Sequence, residues 1–252
     1  MYEKICYKKP FLKEVILRID FPSPIQGLEN SLPRSISKVA LKKFPISEPR
    51  KVHGQEFQIS GPSIQAKPLE MMNWIFHGRQ REKHLTIAPN AIIFSTKKYA
   101  SFEDFIDETN SIINEFFNEY KELSASRVGL RYINNLDINE TDPLSWDKYI
   151  NKQMLGLIKF HGDNDCTTRV FHILEYNFEG QALKFQFGIA NPDYPAVVKR
   201  KQFVLDLDSW FNGAIEEKDI FTFVESAHGK IQELFEKSIT AETRRLMKIR
   251  NE

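Results

Sequence analysis

Apolar and polar residues alternate with the period of a β-strand along much of this chain, and stretches with helical spacing interrupt the alternation. Val15, Leu17, Ile19 and Phe21 share one face of a half-buried strand, which Pro22 and Pro24 break. Leu32, Ile36, Val39, Ala40 and Phe44 then recur every three or four residues, predicting a helix from Asn30 to Phe44 that Pro45 and Pro49 end. Strands are predicted at Gln55–Ser60, near Asn73–His77, at His84–Ala88 and at Ala91–Thr96, with Pro89 and Asn90 turning between the last two. The clearest helix covers residues 101–123. Ser101 and Asp104 form a start like a capping box, acids fill the first turn, and Phe102, Phe105, Ile106, Ile113, Phe116, Phe117 and Tyr120 make its apolar stripe.

The same plan recurs downstream. After a strand at Arg127–Asn134, Trp146–Leu157 is predicted as a short helix, and strands follow at Thr168–Phe178, Ala182–Ile189 and Gln202–Asp208. Gly180 supplies the first hairpin turn. A long helix from Asp219 carries Ile220, Val224, Ile231, Leu234 and Phe235 on one face, and a shorter one runs from Thr240 to Lys248. Strands closed by a helix therefore occur twice. The expected fold is α+β, with two similar antiparallel meander-plus-helix halves, residues 1–124 and 125–252, packed tightly enough to form one domain. The pattern is that of a duplicated unit, although no residue-level repeat accompanies it.

Composition narrows the class. With 41% hydrophobic residues among 252, the chain can bury a core without disulfides or metals, and its 20 Phe residues suit the space between sheet and helix. Cys6 and Cys166 are too few for a disulfide framework or a cysteine-ligated zinc site. Met1–Pro10 has Lys4, Lys8 and Lys9 but no apolar stretch behind them, so no secretory signal is read there, and no run of about 18 apolar residues occurs. Neither a membrane nor a cofactor is expected, and the cytoplasm is the expected location. Lys+Arg against Asp+Glu is 35 to 34, which argues against a dedicated nucleic-acid coat. The balance is uneven along the chain: residues 1–100 carry a net +9 and residues 101–123 a net −6.

Several runs resemble those of a sporadically distributed, uncharacterised prokaryotic family of about this length. The resemblance rests on Pro10 through Phe21 with its Glu14-Val15 pair, on Trp74-Ile75-Phe76, on Tyr99-Ala100-Ser101-Phe102 and above all on Arg127-Val-Gly-Leu-Arg-Tyr-Ile-Asn134. Phe235 through Thr240, with Arg244, matches that family's usual close. The resemblance covers nearly the whole chain and brings no active site with it. What it implies is a gene traded between microbes, as those of mobile defence or toxin–antitoxin cassettes are.

Four groups of residues are candidates for chemistry. Arg127 and Arg131 share a strand face with Gly129 between them, an arrangement that could clamp a phosphate or carboxylate; the plainer alternative pairs each with an acid across the sheet. Asn134 and Asn135 read as turn formers. Asp206 and Asp208 share a strand face with Lys199 and Lys201 close in sequence, as a metal-dependent hydrolase or nuclease would want, or as any solvated strand face would show. His77 and His84 flank a turn and could face each other, and His161, Asp163, Asp165 and Cys166 form a loop with metal-ligand residue types but without the spacing of a calcium loop. His172 and His228 fall on apolar faces and read as structural. Finally Arg34, Lys38 and Lys42 recur every four residues, with Lys43, Arg50 and Lys51 nearby, a row that could track a nucleic-acid backbone. No nucleophile elbow, phosphate-binding glycine loop or paired helical histidines occur. The leading expectation is a non-enzymatic protein-binding or regulatory component, with a nucleic-acid-binding component and a metal-dependent hydrolase as alternatives.

Overall fold

Burial follows the two-residue period. In β1 (Leu12–Asp20), Val15, Leu17 and Ile19 are fully buried and Arg18 between them is exposed. The first half continues with α1 (Arg34–Lys43), the short β2 (Ile46–Ser47), the hairpin β3 (Arg50–Ser60) and β4 (Ser63–His77), then β5 (Lys83–Ala88), β6 (Ala91–Thr96) and α2 (Phe102–Glu119). The second half comprises β7 (Ala125–Asp137), β8 (Val170–Phe178), β9 (Gln181–Ile189), β10 (Gln202–Ile215), α3 (Glu217–Ser238) and α4 (Ala241–Met247). This computed structural model describes residues 5–60, 63–158, 160, 162 and 166–250.

The ten strands among the described residues join one antiparallel sheet in the order β2-β4-β5-β6-β1-β7-β10-β9-β8, with β3 paired to β4. In each half the first strand bonds to the last, β1 to β6 and β7 to β10. The two first strands pair at the centre, with Val15 opposite Tyr132, Leu17 opposite Leu130 and Ile19 opposite Val128. Each half then returns a helix, α2 or α3, onto the face that carries these residues. The protein is thus an α+β fold of two similarly wound halves sharing one sheet and one core. Phe21 stacks on Phe116 of α2 at 5.3 Å, Phe44 at the end of α1 meets Phe94 of β6, and α3 lies over β7 and β10.

Local chemistry sets the element ends. Ser101 Oγ accepts from the Asp104 amide at 3.1 Å, and Glu103 and Asp104 face the positive end of α2. α1 begins later than its apolar spacing suggests, because Pro33 disfavours helical geometry at Leu32, and residues 27–31 form a turn instead. Gly188 has φ +139°, and a Cβ there would lie 2.1 Å from the Val170 carbonyl, so only glycine allows β8 to approach.

The structure corrects two expectations. Trp146–Leu157 contains a single 3-10 turn, Lys152–Met154, in place of a helix. Its backbone bonds elsewhere: the Asn151 amide donates to Ser238 O, Thr240 donates to Tyr149 O, and Ile150 bridges Ile239. Asn134 and Asn135 are not turn residues but lie inside β7, which runs on to Asp137. Asn134 is buried on the helix face and donates to Leu205 O at 3.3 Å.

Candidate functional site

The face of the sheet opposite the helices holds four of the residues singled out from sequence, Arg127, Arg131, Asp206 and Asp208. Ile16, Arg18 and Asp20 of β1, Arg127, Gly129 and Arg131 of β7, Ile93 of β6 and Asp208 of β10 line a groove of about 540 Å³ across the four central strands. Strand alternation puts them on one face, and register puts them within reach, since Arg127 lies opposite Asp20 and Arg131 opposite Asp208.

The arginines are engaged with aspartates of the same face. Arg131 makes a bidentate pair with Asp206, Nε to Oδ1 at 2.8 Å and a terminal nitrogen to Oδ2 at 2.6 Å. Arg127 reaches Asp20 Oδ2 at 3.4 Å and lies over the Trp210 ring at 5.7 Å. Arg18 donates to Asp20 at 2.8 Å. Gly129 leaves its room to Arg127 itself, because a Cβ at this position would meet that guanidinium at 3.2 Å. The face is therefore a ladder of three arginines and three aspartates, each of Arg127 and Arg131 is paired with an acid, and the possible anion clamp is already occupied by carboxylates.

Asp206 and Asp208 are both on this face, with different roles. Asp206 is 8% exposed and neutralised by Arg131. Asp208 has no hydrogen-bond partner among the described residues, and burial pushes its pKa above the ordinary carboxylate value, with Arg127 and Arg131 opposing. The lysine expected to assist a metal site turns away: Lys201 is buried, donates to Glu140 at 2.8 Å and lies over the Trp146 and Tyr149 rings. Among the described residues no three His, Cys, Asp or Glu side chains gather as metal ligands. His77 and His84 do face each other across β4 and β5, with ring centroids 6.3 Å apart, and His77 Nε2 lies 3.4 Å from Glu48. His161, Asp163 and Asp165 lie outside the described residues, and Cys166 beside them is exposed. His172 packs on Phe187 in the edge strand β8.

The basic row of α1 is on the other side of the molecule. Arg34, Lys38, Lys42 and Lys43 are exposed, and α1 packs against the acidic α2, where Ser35 Oγ donates to Glu119 at 2.9 Å. The basic and acidic segments are neighbouring surfaces.

The helix face contains a second feature. Between α2 and α3, above the central strands, lies a cavity of about 270 Å³. Leu12, Tyr132 and Asn134 form its floor, Tyr99 and Phe102 one wall, and His228, Gln232 and Phe235 of α3 the other. Residues 5–10 roof it. This segment is held to the chain's far end by Lys8 N to Lys248 O at 2.8 Å, Lys9 N to Met247 O at 2.9 Å and Arg250 N to Cys6 O at 2.8 Å. The Tyr99 and Tyr132 hydroxyls are 2.8 Å apart, and Tyr132 reaches His228 Nδ1 at 3.0 Å, while Phe102 stacks on the His228 ring at 4.0 Å. Burial raises the pKa of both phenols, so both stay protonated at neutral pH.

Sequence reading identified Arg127, Arg131, Asp206 and Asp208 of the open face but not Arg18 and Asp20, and it missed this cavity, having placed His228 in the core. The signal was present: Tyr132 and Asn134 put polar tips on the apolar face of β7, and His228 does so on the stripe of α3. Buried tips of this kind require partners.

Comparison with protein-family models and with curated proteins finds no match to this chain. No described helix is long and apolar enough to cross a membrane.

Proposed function

We propose that the protein is a non-enzymatic binding component that docks a partner protein on the open face of its sheet, in a regulatory role. The observation that carries this reading is the central groove, where arginines pre-set by aspartates stand among half-buried apolar residues. Ion pairs made in advance hold the arginine forks in place, so less side-chain entropy is lost on docking. Ile16, Ile93 and Trp210 provide the apolar and aromatic contacts from which interface centres are built. Asp208, desolvated and without a hydrogen-bond partner among the described residues, suits a lysine or arginine of the partner. A ladder of equal opposite charges does not suit a polyanion, whose binding depends on net positive charge releasing counterions. The family resemblance adds a setting, a mobile defence or toxin–antitoxin-like cassette.

The test is site-specific photo-crosslinking from position 93 at native expression, compared with crosslinking from Lys38 on α1. One stoichiometric partner, captured from position 93 and lost in Trp210→Ala and Ile93→Glu, is expected. Replacing Arg34, Lys38 and Lys42 with glutamine should leave its capture unchanged. Failure to capture any stoichiometric partner overturns the reading, and so does a partner retained at full strength by both open-face variants.

A further inference from the structure

We propose that the cavity between α2 and α3 is a binding site for a small, uncharged aromatic compound of one or two fused rings bearing a hydroxyl or amide group. This proposal is independent of partner docking, since the cavity and the groove lie on opposite faces of the sheet.

The first argument is volume. Protein interiors are packed to crystal-like density with few voids larger than a water molecule. The cavity of about 270 Å³ compares with about 150 Å³ for an engineered apolar cavity that binds benzene. It has room for a ring system somewhat larger than benzene, and it is lined in a way that a packing defect is not.

The second argument is the lining. Tyr99, Phe102, Tyr132, His228 and Phe235 present five rings to one space, and ring walls favour flat aromatic guests through stacked and edge contacts. Among the described residues the lining contains no lysine or arginine, which disfavours an anion, and its one carboxylate, Glu103, is exposed to water and calls for no cation. The buried carboxylate behind the wall, Glu236, is already paired with Arg244 at 2.8 Å and accepts from Tyr7 at 2.7 Å, so it does not call for a cation from the cavity. A neutral guest is what remains.

The third argument is the hydroxyl chain. Tyr99, Tyr132 and His228 Nδ1 are linked in series, and the direction of that series depends on the imidazole tautomer. If Nδ1 accepts, Tyr132 donates to it and Tyr99 donates to Tyr132, leaving the Tyr99 oxygen with lone pairs to accept. If Nδ1 donates, the order reverses and the Tyr99 hydroxyl is available to donate. In both orders the outer end of the chain can bond a polar group that both donates and accepts, as a hydroxyl or an amide does. Position in the fold supports the same assignment. The site sits where the two halves meet, with walls from both and a roof from the N-terminal segment, so a guest would be enclosed on all these sides.

The experiment uses the full chain and 2-naphthol, with naphthalene and 2-naphthoate as controls. The two cysteines provide an internal comparison: Cys6 lines the cavity roof and Cys166 is exposed elsewhere. Saturable one-to-one binding of 2-naphthol is expected, about tenfold tighter than naphthalene, the worth of one hydrogen bond. 2-Naphthoate should bind more weakly still. Bound 2-naphthol should slow alkylation of Cys6 and leave the rate at Cys166 unchanged. Tyr99→Phe should abolish the preference for 2-naphthol over naphthalene while retaining naphthalene binding, and Tyr99→Met, which removes the same hydroxyl, serves if the first variant fails to fold. No saturable binding of 2-naphthol or naphthalene overturns the proposal. Binding that leaves Cys6 alkylation untouched overturns it, as does a preference for 2-naphthol that survives loss of the hydroxyl, or preferential binding of 2-naphthoate.

Discussion

Beside its backbone bonds, the roof of the cavity is tied down by one buried carboxylate through Tyr7, and removing the partner of that carboxylate should be more damaging than removing the carboxylate itself. Glu236 is 0% exposed; it accepts from Arg244 Nε at 2.8 Å, from Tyr7 at 2.7 Å and from Gln232 at 3.3 Å. The Arg244 guanidinium also donates to the Glu236 carbonyl. Arg244 itself is 28% exposed, so water can reach it if the carboxylate goes. Arg244→Met leaves a carboxylate with no access to water, at the upper range for a broken buried pair, about 3–4 kcal/mol. Glu236→Leu leaves a cation that can hydrate and a phenol without its acceptor, about 2 kcal/mol. The double variant Glu236→Leu/Arg244→Met leaves no stranded charge and should recover to about 1–2 kcal/mol. At roughly 2–4 °C per kcal/mol for a chain of this size, Arg244→Met should melt on the order of 10 °C lower. Urea unfolding with an unchanged slope measures all three variants. If Arg244→Met costs under about 0.5 kcal/mol, or if the double variant is no more stable than Arg244→Met, the carboxylate does not hold the roof and the reasoning fails.

Three further outcomes are expected. Gly188→Ala should cost several kcal/mol and lower the soluble yield, because its Cβ would meet the Val170 carbonyl at 2.1 Å in a left-handed conformation; a thermal shift under about 2 °C would contradict this. Asp208 holds its proton to higher pH in the folded state than in the unfolded chain, so its contribution to stability falls as pH rises above about 4 and stays unfavourable at neutral pH. Asp208→Asn should therefore be more stable than the parent at pH 7, with the gain shrinking toward pH 4; a loss at pH 7 would mean that Arg127 and Arg131 stabilise the charge more than burial penalises it. Gly129→Ala displaces only the flexible end of Arg127, so stability should change by under about 0.5 kcal/mol while partner capture on the open face weakens; unchanged capture would separate Arg127 from docking.

Elements set by local spacing were legible before any tertiary structure. Ala91–Thr96 was read with its true bounds, and the Ser101 cap began α2 within a residue of where it starts, because period and capping depend only on neighbours along the chain. Trp146–Leu157 failed the same reading because its backbone found partners at Ser238 and Thr240, some ninety residues on, which no local pattern encodes. The shared face of Arg127 and Arg131 followed from alternation alone. Their state did not: Asp206 lies 75 residues from Arg131, and only the pairing of β7 with β10 turns a possible anion clamp into a closed ion pair. The cavity depended most on tertiary structure. Its walls come from residues 5–12, 99–103, 132–134, 228–235 and 247, brought together by the meeting of two halves whose helices stand apart over the central strands. Sequence carried the secondary structure because periodicity is local; the groove and the cavity required strand register and helix placement, which the folded chain sets through contacts far apart in sequence.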